Sequence, residues 1–345
     1  MKTSQIEILQ KLSETFAPSG YEDDLRQYII SQIQDHVSEL YTDRAGNLIA
    51  KIGLGGNPYV FAHMDEIGFM ITGIQENGTL RFSSIGGITP DSLPSKRVKI
   101  KHDDRFIYGV IGSKPVHFKD DKKEKKSFSN LYIHIGADKK QEAQKFVSVG
   151  DVAVFDTQFQ VTPSQNRRFM GKALDNRIGC LLLITLIQDH LIPNGTFIFT
   201  VQEETGLRGS ISFLSTNEID FGLAVDTTTA NDLPGISGAN SVCSLKKGGV
   251  VSYIDGATVY RKVLIDAVFQ LCRNKQIPLQ TKTKKAGGNE ASAIQKQNGS
   301  SHSISLSVPC RYIHGPLGVV SETDIDNSLK ALVCILENWE ELNHV

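Results

Sequence analysis

The stretch Val201-Gln202-Glu203-Glu204-Thr205-Gly206 decides how the rest of this chain is interpreted. It follows Asn194-Gly195-Thr196-Phe197-Ile198-Phe199-Thr200, whose β-branched and aromatic residues predict a buried strand. Successive strand residues point to opposite faces, but Gly206 ends the strand, so both carboxylates can serve one site. Because a lone ionised carboxylate is too costly to bury, the pair either binds a partner or lies in a solvated loop. The remaining motifs decide between these interpretations.

The composition is that of an ordinary soluble globular protein. The chain has 345 residues and a formal net charge of -1, enough length for a sizeable core and two domains. The near-neutral charge argues against nucleic-acid or membrane-surface partners, and a basic run at 122–126, interrupted by Glu124, is interpreted as a solvated loop. No apolar run approaches the roughly 20 residues of a membrane span. We therefore expect neither nucleic acid nor membrane as a partner.

Cysteine usage indicates a reducing compartment. The five cysteines are dispersed and show no Cys-x-x-Cys spacing, which argues against a disulfide framework and a thiolate zinc site. The first residues are acidic and amphipathic, unlike a signal peptide. We expect a cytoplasmic protein.

Helical and strand patterns alternate at both ends of the chain. A capping box at Ser19–Glu22 is predicted to open the second helix. The predicted helices lie at 4–16, after 22, at 176–190, from 207, near 258–274 and at 322–340, and the predicted strands at 38–42, 48–53, 58–62, 196–202, 221–225 and 303–308. Such alternation predicts an α/β fold with a doubly wound, largely parallel sheet.

Residues 68–162 have a different texture. Short alternating segments are separated by turns such as Asn77-Gly78 and Gly86-Gly87, with little helical pattern. This spacing predicts a compact β-barrel or sandwich. Because the α/β pattern stands on both sides of it, we interpret 68–162 as an inserted domain and 1–67 with 163–345 as one discontinuous α/β domain.

Polar residues gather where the predicted strands end, and open α/β sheets bind ligands at that edge. Imidazole and carboxylate groups without thiolates are the ligand set of zinc, cobalt or manganese hydrolases. Each residue alone also fits a structural role, such as a helix start or a loop cap. The candidates are His63, Asp175, Glu203, Glu204, Asp226 and His314. Their shared placement predicts a metal site.

The same residues lie in five motifs that occur together and in order. They are His63-Met64-Asp65-Glu66-Ile67-Gly68-Phe69, Gly171-Lys172-Ala173-Leu174-Asp175-Asn176-Arg177, Glu203-Glu204-Thr205-Gly206-Leu207-Arg208-Gly209, Asp226-Thr227-Thr228 and Arg311-Tyr312-Ile313-His314. Over essentially its whole length the chain resembles the tetrahedral/glutamyl aminopeptidase family of di-metal exopeptidases, whose relatives are sometimes labelled endoglucanases. The resemblance implies a zinc-exopeptidase-like α/β domain with an inserted PDZ-like β-barrel for oligomerisation.

The resemblance also implies a role for each site residue. The implied roles are one metal on His63 and Asp226, a second on Glu204 and His314, a bridge by Asp175, a general base in Glu203, and orientation of His63 by Asp65. Two divalent ions per subunit, zinc or cobalt, would activate a water molecule that hydrolyses N-terminal residues from short peptides. A homo-oligomer, with a tetrahedral dodecamer as the candidate form, is implied as well.

Two segments depart from the family pattern, and two other functions remain open. Asn289-Glu290 stands where the family commonly has Thr-Asp, and Gly315 where it more often has serine, so the preferred N-terminal side chain is undecided. An endoglucanase-type glycosidase needs two carboxyl groups and no metal, which leaves His63 and His314 unexplained. A non-catalytic scaffold leaves the presence of every ligand and the base unexplained.

Overall fold

The computed structural model describes residues 1–114, 127–236, 238–297 and 302–345, which form a large mixed sheet and a closed barrel. The basic run at 122–126, interpreted above as a solvated loop, lies outside the described residues. The strands are β1 (Glu39–Thr42), β2 (Leu48–Ile52), β3 (Tyr59–His63), β4 (Gly68–Ile74), β5 (Leu80–Ile85), β6 (Arg97–His102), β7 (Arg105–Gly112), β8 (Tyr132–His134), β9 (Val152–Phe155), β10 (Gln160–Val161), β11 (Arg168–Gly171), β12 (Gly195–Thr200), β13 (Phe221–Thr229), β14 (Gly249–Val251), β15 (Leu279–Gln280), β16 (His302–Arg311) and β17 (Gly318–Ser321).

Helices cover both faces of the large sheet. Val60 and Ala62 of β3 pack into the main hydrophobic core, whereas Phe61 between them packs into a second cluster with Phe213 and Ile294. This alternation is that of a doubly wound sheet buried on both sides. The helices are α1 (Thr3–Glu14), α2 (Asp23–Ile33), α3 (Lys140–Ala143), α4 (Leu174–Gln188), α5 (Arg208–Leu214), α6 (Lys262–Asn274), α7 (Ala291–Lys296), α8 (Glu322–Glu337) and α9 (Trp339–Asn343), with 3-10 turns at Gln34–His36, Pro90–Ser92, Phe128–Asn130 and Gly238–Asn240.

The sheet order is β1-β2-β12-β3-β13-β16-β17-β11-β10, with β14 pairing β16 and β15. The four central strands β12, β3, β13 and β16 are parallel. Antiparallel strands extend both edges, through β2 and β1 on one side and β17, β11 and β10 on the other. The predicted doubly wound, largely parallel sheet is therefore confirmed at its centre, and the structure adds antiparallel edges to it.

Two central strands are longer than the sequence predicts. β13 continues to Thr229 and β16 to Arg311, and their residues are almost all buried. Asp226 therefore lies inside β13 rather than after it, which corrects the prediction. The threonines after Asp226 have high β propensity, but their polar side chains are also typical of a loop. Their burial between neighbouring strands could therefore not be predicted from the sequence.

The predicted capping box at Ser19–Glu22 is wrong. Helix α2 begins at Asp23 without a side-chain cap. The Ser19 hydroxyl donates to Asp65 instead, and the Glu22 carboxylate accepts the backbone N–H groups of Gly20 and Gln202. Tertiary contacts to the strand ends take both side chains away from the helix terminus.

The inserted segment contains a closed antiparallel barrel of order β4-β5-β8-β7-β6-β9. Its core is built around Phe69, whose ring contacts Phe82 and Phe155 edge to face at centroid distances of 5.2 Å. The predicted β-barrel is confirmed. The barrel strands end at Phe155, and β10 already pairs in the large sheet. Among the described residues, no helix combines the length and apolar character required to cross a membrane.

Candidate active site

The ends of the central parallel strands bring the predicted site residues together. His63 is the last residue of β3 and pairs in register with Thr200, the last residue of β12, so the turn carrying Glu203 begins beside it. β13 pairs with β3 as Ala224 with Phe61, which places Asp226 level with His63. The strand ends thus meet at one edge, as an open α/β sheet requires.

The other two candidates reach the same edge from loops. Asp175 follows β11 at the start of α4, where its backbone (φ -85°, ψ 105°) is not yet helical. His314 follows β16 and has a left-handed backbone with φ 56°. Both side chains turn toward the strand ends.

The first group of potential ligands consists of His63, Asp175 and Asp226. His63 Nε2 lies 3.5 Å from Asp175 Oδ1 and 3.7 Å from Asp226 Oδ1. Tetrahedral coordination with bonds of about 2.0–2.2 Å separates ligand atoms by about 3.3–3.6 Å. The spacing therefore fits a divalent ion bound between the three side chains.

The second group consists of Asp175, Glu204 and His314. His314 Nε2 lies 3.3 Å from Asp175 Oδ2 and 3.5 Å from Glu204 Oε1. Asp175 therefore turns one carboxylate oxygen to each group, as a ligand shared by two ions does. Nitrogen and oxygen donors of this kind suit zinc and neighbouring divalent metals.

The pKa shifts of these side chains indicate that the cluster carries more negative than positive charge. Burial raises the pKa of Asp226 and Glu203 well above the usual range, and neighbouring carboxylates raise both further. Burial, followed by Asp175, raises the pKa of Glu204 to about 7. Burial alone would lower the pKa of His63, but Asp175 and Asp65 raise it instead. A bound cation would relieve the repulsion that these shifts express.

Asp65 holds more of the site than the sequence indicated. Its fully buried carboxylate lies 3.3 Å from His63 Nδ1 and accepts the hydroxyl of Ser19 at 2.6 Å. It also accepts the backbone N–H groups of Glu203 at 3.0 Å and Glu204 at 3.1 Å. The turn that carries both glutamates is therefore fixed by the same side chain that faces the histidine.

Glu203 lies beside the first ligand group and belongs to neither group. Its Oε2 is 4.0 Å from His63 Nε2. The two adjacent glutamates thus occupy different positions, Glu204 within a ligand group and Glu203 next to it. The roles of metal ligand for Glu204 and general base for Glu203 stay predictions of the family resemblance.

A loop of the inserted barrel forms part of the site, which the sequence did not indicate. The backbone oxygen of Gly87, between β5 and β6, lies 2.9 Å from His314 Nδ1. An added Cβ at Gly87 would lie 3.1 Å from that nitrogen. The Gly86-Gly87 pair predicted a turn but not the contact with His314, because contacts between distant segments leave no local pattern in the sequence.

A cluster of buried ion pairs links two of the segments that carry site residues, and it was not predicted from the sequence. Lys172 Nζ lies 2.6 Å and Arg177 Nη2 3.3 Å from Glu66 Oε1. All three side chains are buried, and burial lowers the pKa of Lys172 to about 7. The cluster joins the segment that follows Asp65 to the segment that carries Asp175.

A cavity of about 390 Å³ opens over the ligand groups. Its volume is within the range of about 300–1,000 Å³ usual for small-ligand pockets. Besides the site residues themselves, it is lined by Gly87, Thr89, Thr227, Thr228, Thr229, Lys282, Gly287, Gly288, Asn289 and Ile313.

Comparison with known proteins decides which metal enzymes this chain is related to. The sequence profile described as M42 glutamyl aminopeptidase matches residues 46–331. The chain belongs to the M42 glutamyl aminopeptidase family. A relative from Acetivibrio thermocellus, named as an aminopeptidase, is 35% identical over 332 residues, 95% of this chain and 97% of its own. The lysyl aminopeptidase of Pyrococcus furiosus is 29% identical over 347 residues, 98% of either chain.

Solved structures share the fold over nearly the whole length of this M42 chain. A TET aminopeptidase from a marine sediment Thaumarchaeota archaeon has a TM-score of 0.93 at 27% identity, over 99% of both chains. The TET1 peptidase of Pyrococcus horikoshii, which can assemble into a tetrahedron or a large octahedral shell, has a TM-score of 0.84 at 31% identity, over 96% of this chain and 99% of that one. A Thermotoga maritima protein labelled endoglucanase has a TM-score of 0.78 at 31% identity, over 97% and 98%.

Membership in the M42 family confirms the predicted aminopeptidase and its class, a hydrolase. It also implies dependence on divalent metals, for which the described residues provide suitable ligands. The endoglucanase label of one neighbour does not indicate a glycosidase, because that protein shares the M42 fold and this chain matches the peptidase profile.

Proposed function

We propose that this protein removes the N-terminal residue from short peptides with a water molecule that two divalent ions, zinc or cobalt, would activate. The observation that carries the proposal is that Asp175 turns one oxygen to each of two ligand groups. His63 and Asp226 complete the first group, Glu204 and His314 the second. Two ions held by these residues would supply Lewis acidity and would lower the pKa of bound water.

In this proposal Glu203 is the general base. Its carboxylate lies 4.0 Å from His63 and belongs to neither ligand group, so it remains free to take a proton from the attacking water. Burial, followed by Asp226 and Glu204, raises the pKa of Glu203 in the metal-free protein. Bound cations would lower that pKa again, so the ionised carboxylate can accept the proton of the water and pass it to the leaving amine. Asp65 positions the turn and His63 by the contacts described above. A metal ion held there would also bind the free α-amine of a peptide, which an internal peptide bond lacks.

Hydrolysis with and without a chelator tests the function. Purified protein loaded with zinc or cobalt is assayed on aminoacyl-anilides, on N-acetylated versions of the same compounds and on a soluble cellulose derivative. We expect the free-amine anilides to be cleaved, the acetylated and cellulosic compounds to be left intact, and chelator to abolish cleavage until metal is restored. Cleavage of cellulose, or cleavage insensitive to the chelator, would refute the proposal.

We also propose a homo-oligomeric, cytoplasmic enzyme in which segment 68–162 contributes to assembly. The oligomer is supported by the 31% identical Pyrococcus horikoshii relative, which can assemble into a tetrahedron or a large octahedral shell, and a tetrahedral dodecamer is the candidate form. The location is supported by the cysteines, all of which are free and buried.

A further inference from the structure

One wall of the cavity over the ligand groups is polar and carries a lysine. It is formed by Thr227, Thr228 and Thr229 at the end of β13, by Gly287–Asn289 and by Lys282. Among the described residues that line the cavity, Ile313 has the sole aliphatic side chain other than those of the threonines. A large apolar side chain of a substrate would find little apolar surface here.

The ammonium group of Lys282 has bonding capacity left for a ligand. Nζ donates to the backbone oxygen of Ala286 at 3.0 Å. Among the described residues, the Ala286 oxygen is the hydrogen-bond partner of Lys282 Nζ, and no carboxylate of those residues lies within ion-pair distance of Nζ. Since an ammonium group has three N–H donors, two remain for a group that enters the cavity.

The charged side chains that line the cavity form two sets, the carboxylates of the site and the ammonium group of Lys282. Asp175, Glu203 and Asp226 line it as well, but in the proposed function their charge is matched by the two ions and the transferred proton. Lys282 then remains as the permanent charge of the wall. A positively charged substrate side chain would be repelled by it, and a carboxylate would be attracted.

The two family departures at positions 289 and 290 do not supply this selectivity. The amide of Asn289 is engaged, donating to Ser305 Oγ at 2.6 Å and accepting the Ala291 N–H at 3.0 Å. Glu290 is fully buried and accepts the hydroxyl of Thr200 beneath the site. Both side chains hold the loop rather than present charge to the cavity.

We infer that this wall binds the side chain of the substrate's N-terminal residue, and that Lys282 makes the enzyme select glutamate or aspartate there. The inference rests on the proposed aminopeptidase function. Family names alone do not decide the matter, because the profile is described as glutamyl and a relative that matches 98% of the chain is lysyl.

Four substrates and three variants test the inference. The metal-loaded full-length enzyme is assayed on the p-nitroanilides of glutamate, aspartate, leucine and lysine, and we expect the highest kcat/KM for an acidic one. Lys282→Met should lower the glutamate-to-leucine ratio of kcat/KM roughly 10- to 100-fold, the effect of losing one charge-assisted hydrogen bond. Lys282→Glu should shift the preference toward lysine. Lys284→Met, which removes an exposed lysine of the same segment outside the cavity lining, should leave the ratio unchanged.

A binding measurement accompanies the kinetics. Free L-glutamate should raise the melting temperature of the metal-loaded wild type more than L-leucine does, and Lys282→Met should remove that difference while keeping a cooperative melt. A wild type that prefers leucine or lysine anilide overturns the inference and leaves the aminopeptidase function standing. Equal loss on all four substrates in Lys282→Met also overturns it. Hydrolysis of none of them by metal-loaded protein refutes the proposed function and the inference with it.

Discussion

At the scale of single residues, the site depends on carboxylates that the protein fixes in advance. Asp65 accepts two backbone N–H groups and one hydroxyl while it faces His63. Hydrogen bonds to a charged group contribute about 1.5–3 kcal/mol each, so the turn bearing Glu203 and Glu204 is held firmly. The two adjacent glutamates therefore keep separate positions and, in our proposal, separate tasks.

Matched amide variants test that separation. Glu203→Gln should keep both metals and lose roughly 10²- to 10⁴-fold in kcat, the usual contribution of a general base. Glu204→Gln should lose the metal of the second group, because a neutral amide is a poor substitute for a carboxylate ligand. Metal content by mass spectrometry and kcat on one anilide distinguish the variants. If Glu203→Gln emptied the site and Glu204→Gln left it filled, the two roles would be reversed.

The raised carboxyl pKa values predict an unusual dependence of stability on pH. Glu203, Glu204 and Asp226 have a higher pKa in the folded, metal-free protein than the unfolded values of about 4, so the folded state binds more protons between these limits. The stability of the metal-free protein should fall as pH rises from about 5 to about 7. The metal-loaded protein should gain relative to it, because binding displaces those protons.

Thermal denaturation of both forms at three pH values in this window checks that prediction. Glu204→Gln serves as the control, since removal of one titrating group should flatten the slope of the metal-free protein. Parallel slopes for the metal-free and metal-loaded forms would contradict the assignment of these carboxylates to the metal site.

At the scale of elements, the inserted barrel is a part of the active site. The Gly87 carbonyl oxygen is 2.9 Å from Nδ1 of His314, whose side chain is 39% exposed. The nitrogen of a ligand histidine that does not bind metal is usually held by such a partner, and its loss typically costs 10- to 100-fold in affinity, as an order of magnitude. Folding of the barrel loop and binding at the second ligand group are thereby linked.

An alanine at Gly87 tests this link. Its Cβ would lie 3.1 Å from His314 Nδ1, so the ring must move, and the affinity for the second metal should fall roughly 10- to 100-fold. Gly73→Ala is the matched control in the same barrel, because its Cβ meets nothing closer than 3.7 Å. Competition with a chromophoric chelator measures both metals. Equal affinities in the two variants would show that the Gly87 contact does not position His314.

Element patterns explain what was predictable from the sequence. The strand before Glu203, the apolar helix α4 and the barrel were predictable because each has its own periodicity. The candidate site residues could be proposed because strand ends and motifs mark them. The lengths of β13 and β16, the false capping box at Ser19–Glu22 and the Gly87 contact were not found. Each depends on segments far apart in the chain, such as Gly87 and His314, which are 227 positions apart, and such contacts override local preference.

At the scale of the whole molecule, the proposed activity gives a physical reason for assembly into an oligomer. An enzyme that trims any accessible N-terminus endangers folded proteins around it, and a site enclosed within an oligomer would admit mainly short, flexible chains. Deleting the barrel cannot test this cleanly, since the deletion also removes the Gly87 contact to His314. The test has to leave the chain intact.

Light scattering of the intact, metal-loaded protein over a dilution series provides that test. We expect a particle several times the chain mass of 37.9 kDa, with about twelve subunits for the tetrahedral form. A short peptide should be cleaved much faster than a stably folded protein that carries the same exposed N-terminal sequence, because access rather than chemistry separates the two substrates. An active monomer at high dilution that trims both substrates equally well would show that neither assembly nor enclosure is required.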